Sequence, residues 1–101
     1  MNQQQLLREA RKLQEQLAKI QADLANEMVV GSAGSGAVEV TLNGHGNVQK
    51  VKLAPAAVDP QDLETLEDLI LLAFKDAQAK VAALSQSRMG PLTGGLGIPG
   101  L

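Results

Sequence analysis

A chain of 101 residues whose only aromatic is Phe74, and which has no Trp, Tyr or Cys, holds at most one domain built from Leu, Val, Ile and Ala. The missing cysteines exclude disulfides, thiolate catalysis and cysteine-held zinc, and fit a reducing cytoplasm. The net charge of −2 argues mildly against nucleic acid, but where the cations sit matters more than their sum.

The start, MNQQQLLREARK, has no apolar stretch of the kind a signal peptide needs, so none is expected. From residue 3 to 26 an amphipathic helix is predicted. Leu6, Ala10, Leu13, Leu17, Ile20 and Leu24 step by four and three in turn, the seam of a helix pressed along another helix. Opposite the seam lie Arg8, Lys12, Glu15 and Lys19, with Arg11 at the edge. Glu15 supports Lys19 at i,i+4, which leaves a mostly basic stripe.

A short sheet follows. Residues 28–33 read as a first strand and Gly34-Ser35-Gly36 as a turn. Val38, Val40 and Leu42 alternate with Glu39 and Thr41, the period-two sign of one buried face. Asn43-Gly44-His45-Gly46-Asn47 is a hairpin turn. In the third strand Gln49, Val51 and Leu53 face one way, and Lys50 and Lys52 the other. Pairing 42 with 49 and 38 with 53 keeps the apolar faces together and sets Glu39 opposite Lys52.

A second helix is predicted over residues 60–88, with Asp59 as N-cap and Pro60 at the first helical position. Asp62, Glu64, Glu67 and Asp68 suit the positive end of its dipole. Leu63, Leu66, Ile70, Phe74, Ala77, Val81 and Leu84 form its main stripe. Leu69, Leu71 and Leu72 widen that stripe until the middle is apolar nearly all round, so it must be covered on more than one side. The apolar run from Leu69 to Phe74 is far shorter than a membrane span, and no membrane partner is expected. The domain is therefore 1–89. Residues 90–101, rich in Gly and Pro, are expected to be a flexible tail without regular structure, with Leu92, Leu96, Ile98 and Leu101 unusual for a plain linker.

Two helices over 30 Å long cannot bury their stripes on three short strands, so the chain reads as half of a symmetric homodimer. Leu69, Ile70, Leu72 and Phe74 are the candidate interface. No nucleophile–base pair, metal constellation or phosphate loop stands out, and neither an enzyme nor a bound metal or cofactor is expected. His45 lacks a second ligand nearby. The basic stripe has two readings, a solvated face or a row of phosphate contacts.

GSAGSGAVEVTLNGHGNVQKVKL, the Asp59-Pro60 start with LEDLILLAF, and RMGPLTGGLGIPGL together resemble the YbaB/EbfC family of bacterial nucleoid-associated DNA-binding proteins, over nearly the whole chain. The resemblance implies an α+β fold of order α-β-β-β-α, with a three-stranded antiparallel sheet between two long helices. It also implies a tweezer-like homodimer, cytoplasmic and nucleoid-associated, that binds double-stranded DNA with weak or variable sequence preference. A link to recombinational repair or the replication machinery comes with it. On that basis Arg8, Arg11, Lys12 and Lys19 become candidate DNA contacts, joined by Lys75, Lys80 and Arg88 if both helices project as arms. The alternative is an adaptor for repair or replication proteins, with DNA contact incidental.

Overall fold

The computed structural model describes residues 2–95. The elements are α1 (Gln3–Asn26), β1 (Met28–Ala33), β2 (Val38–Asn43), β3 (Val48–Leu53), a 3-10 turn (Pro55–Ala57) and α2 (Leu63–Gly95). This is the expected α-β-β-β-α order, drawn out to 70 × 26 × 16 Å.

A reciprocal cap starts α1. Asn2 Oδ1 accepts from the Gln5 N–H at 2.8 Å, and Gln5 Oε1 accepts from the Asn2 N–H at 3.4 Å. Two backbone donors that helix geometry leaves unpaired are thereby satisfied. The sheet has the order β1-β2-β3 and is antiparallel throughout. Val38 pairs with Leu53, Glu39 with Lys52 and Val40 with Val51, as the alternation requires. The expected pairing of residue 42 with 49 is corrected. Leu42 faces Val48, and the register shifts between Thr41 and Leu42. The extra residue on β3 keeps a valine, rather than Gln49, beside Leu42 on the apolar face.

α2 lies against β1 and β2, and Val38, Val40 and Leu42 are sealed beneath it with Leu66, Ala73 and Ala77. The approach is closest at Gly31. A Cβ there would strike the backbone of Ala73 and Ala77, so only glycine lets the helix sit this low. β3 is left out: all six of its residues are exposed.

Both ends of α2 differ from expectation. Asp59 is not its N-cap and Pro60 is not its first residue. Asp59 closes a turn, accepting from Gln61 N–H on Oδ1 at 2.9 Å and from Asp62 N–H on its carbonyl at 2.9 Å. The cap is Asp62, which takes the Thr65 N–H at 3.4 Å and the Thr65 hydroxyl at 2.6 Å. At the other end the helix runs past Gly90 to Gly95 with Pro91 inside it, where irregular chain was expected. Proline removes one helical hydrogen bond, but Arg88, a turn earlier, is fastened to Glu27, and Pro91 and Leu92 line a cleft against Ile20 of α1. Leu96, Ile98 and Leu101 lie outside the described residues.

Candidate nucleic-acid interface

α1 is anchored at its C-terminal end and projects from it. Along the seam, Leu24 is buried, Ile20, Leu17 and Leu13 are half-buried, and Ala10 and Leu6 are exposed. The anchor is made by the β2–β3 turn. Gly44 N–H donates to the Leu24 carbonyl at 2.8 Å, in a contact so close that a Cβ on Gly44 would overlap the Leu24 side chain. Asn43, buried, has its polar groups satisfied. Its Oδ1 accepts from the His45 N–H at 2.9 Å and the Asn47 N–H at 3.0 Å, and its Nδ2 donates to the Ala25 carbonyl at 3.4 Å. His45 Nε2–H donates to the Gln21 carbonyl at 2.7 Å. The single histidine is thus a pin between turn and helix.

The cations divide into two groups. Arg8, Arg11, Lys12 and Lys19 are exposed on α1, and none is in an ion pair among the described residues. Lys75 on α2 is likewise exposed and outside any such pair. Lys80 and Arg88, also expected to face DNA, are engaged inside the protomer. Lys80 Nζ donates to the Val30 carbonyl at 2.7 Å and lies 3.4 Å from Asp76. Arg88 grips both carboxylate oxygens of Glu27, with Nε 3.2 Å from Oε2. This pair ties the end of α1 to α2 beside the cleft, where Gln16, Lys19 and Asp23 meet Ser87, Pro91 and Leu92. No sequence pattern marks Glu27 as the partner of Arg88 or the Val30 carbonyl as that of Lys80, because the tertiary fold makes both contacts; Asp76 and Lys80, by contrast, are an i,i+4 pair within α2.

The candidate interface residues also divide. Leu69, Ile70 and Phe74 pack partly buried on the protomer's own core, whereas Leu72 stays 53% exposed. Leu71 on α2 and Val48, Val51 and Leu53 on β3 are exposed as well. The alternation of β3 matches that of buried β2, and a pattern alone does not say what covers it.

A three-stranded antiparallel sheet carrying a long helix on one face, with a second helix projecting from one end, defines a small α+β protein of α-β-β-β-α order. The chain belongs to the YbaB/EbfC DNA-binding family, whose model matches residues 1–96. It is 50% identical over 100 residues to a nucleoid-associated protein of Roseiflexus sp. (strain RS-1), covering 99% of each chain. It is also 50% identical over 99 residues to a nucleoid-associated protein of Mycobacterium sp. (strain KMS), covering 95% of this chain and 90% of that one. An uncharacterized protein from Helicobacter pylori, known by crystal structure, shares the fold with a TM-score of 0.68 at 18% identity, over 95% of this chain and 98% of the other.

Proposed function

We propose that the chain is a non-enzymatic homodimer of the bacterial nucleoid that holds double-stranded DNA mainly through its phosphates and bridges or compacts it. The observation that carries this reading is the row Arg8, Arg11, Lys12 and Lys19, exposed and outside any ion pair among the described residues, on a helix whose opposite side is apolar. From Arg8 to Lys19 the helix rises about 16 Å, a length over which duplex DNA carries roughly nine charges. Cations so placed bind by releasing condensed counterions. The chain has no aromatic on this arm to stack on bases, so base identity enters weakly. The names of the relatives point to the nucleoid as the place of action.

The dimer is supported by the uncovered apolar band of Val48, Val51 and Leu53 on β3, with Leu71 and Leu72 also exposed on α2, apolar surface of a kind that marks an interaction site. The edge of β3 beside it has no strand to pair with among the described residues. A second copy meets both needs at once. An adaptor for repair or replication proteins is the alternative that the same band would serve. Titrating a mixed-sequence duplex at several salt concentrations separates the two. Salt-dependent binding supports the DNA reading, and no binding even at low salt refutes it.

A further inference from the structure

We propose that two copies joined through β3 create a plateau of four lysines, Lys50 and Lys52 from each copy, that receives DNA phosphates and makes dimer stability depend on DNA. The proposal rests on the dimer reading above and adds a second DNA-contacting surface, separate from α1.

The two edges of the sheet are not equivalent. The outer edge of β1 is closed, since Ser32 N–H donates to Asp76 at 2.9 Å and the Val30 carbonyl accepts from Lys80 at 2.7 Å. Among the described residues only β3 offers a free edge. Its apolar face carries Val51 and Leu53, so Lys50 and Lys52 share the opposite face. Both lysines are exposed, and neither is in an ion pair among the described residues. Across the sheet, Lys52 is in register with Glu39 and Lys50 with Thr41.

Period-two alternation restricts how β3 pairs with its own copy. Two antiparallel strands keep their apolar faces together only when the two-fold axis passes through a residue. Beyond the irregularity at Gln49 the regular stretch is 50–53. An axis at Val51 sets each Lys50 directly opposite the Lys52 of the second copy, twice over. Like charges in that position oppose pairing. The two Glu39 side chains, one strand further in, offset half of the four charges. The remainder is relieved by an anion laid across the axis, and a duplex supplies one of suitable length and charge density. By reciprocity, whatever factor dimerisation adds to DNA affinity, DNA adds to dimer affinity.

The test is sedimentation of the full chain and of K50Q/K52Q, at low and high salt, with and without a short duplex. Without DNA, the wild-type dimer should tighten as salt rises. K50Q/K52Q should dimerise about tenfold more tightly at low salt and show no such response. Its DNA binding should have a log–log salt slope smaller by about 0.9 for each phosphate no longer neutralised. Val51→Cys, in a chain with no other cysteine, reports on the pairing itself by forming a disulfide-linked dimer under oxidation. A wild type that stays monomeric overturns the dimer reading together with this one. A dimer that never cross-links at residue 51 overturns the pairing. A cross-linkable dimer whose dissociation constant and DNA salt slope are unchanged in K50Q/K52Q overturns the lysine plateau alone.

Discussion

Asp76 and Lys80, one turn apart on α2, share out the open edge of β1: the carboxylate takes the Ser32 N–H and the ammonium gives to the Val30 carbonyl. A helix thereby stands in for the missing neighbouring strand. The Ser32 amide, with help from Lys80, holds the Asp76 carboxyl below its ordinary value. A lowered folded-state pKa means that the unfolded chain takes up the proton first as pH falls. The stabilisation is therefore complete above about pH 4 and drains away as pH drops through the folded-state value. Asp76→Asn should melt below wild type at neutral pH, and the gap should narrow below about pH 4. Thermal melts across that range check it, and a gap independent of pH would show that the carboxylate's charge is irrelevant.

Gly31→Ala should be among the costlier methyl additions in the chain. The new carbon meets backbone atoms of Ala73 and Ala77, which cannot rotate away as a side chain could. The destabilisation should be about 3 kcal/mol or more by urea denaturation, at or above the usual range for overpacking.

The placement of the α2 cap predicts a contrast between two aspartates three residues apart. Asp62→Ala should cost about 1 kcal/mol, as removal of a helix cap does. Asp59→Ala, which opens only a turn, should cost less. The opposite ranking in denaturant melts would return the helix start to Asp59-Pro60.

Arg8, Lys12 and Lys19 changed together to Glu should weaken binding to all DNA sequences alike. The salt dependence should flatten by about 0.9 in log–log slope for each phosphate the variant fails to neutralise. All three residues are exposed and outside any ion pair among the described residues, so the circular dichroism spectrum should not change. Wild-type affinity at moderate salt would make the row a solvated face. The matched change at Lys80 should instead lower stability, because that ammonium is already bound to Val30.

Leu72→Glu should shift the proposed dimer toward monomer in light scattering while helix content holds, since Leu72 lies outside the protomer core. Phe74→Ala should behave differently. It packs on that core, so it should lower the melting temperature whether or not the dimer survives.

Much of the fold was legible because it depends on local alternation and punctuation. Val38, Val40 and Leu42 announced the buried face of β2, and Asn43-Gly44 announced the turn. The misjudged details are those in which two local solutions compete. Asp59 and Asp62 are both residue types that cap helices, and the chain uses the first to close a turn and the second to start α2. The shift at Gln49 is invisible to a pattern that tolerates one extra residue. For the site, the cations were legible as a set. Which of them are already engaged was not, because Glu27 lies 61 residues from Arg88 and Val30 lies 50 from Lys80.

The anchoring of α1 at one end makes it a cantilever. From the Leu24–Gly44 contact to Gln3 the beam is about 31 Å long, so a tilt of about 10° at the root swings its tip by about 5 Å. That travel is comparable with the difference in width between the two grooves of B-form DNA, about 6 Å. If the arm holds DNA as proposed, the stiffness of the joint at Gly44 joins the cations in setting which duplex shapes it tolerates.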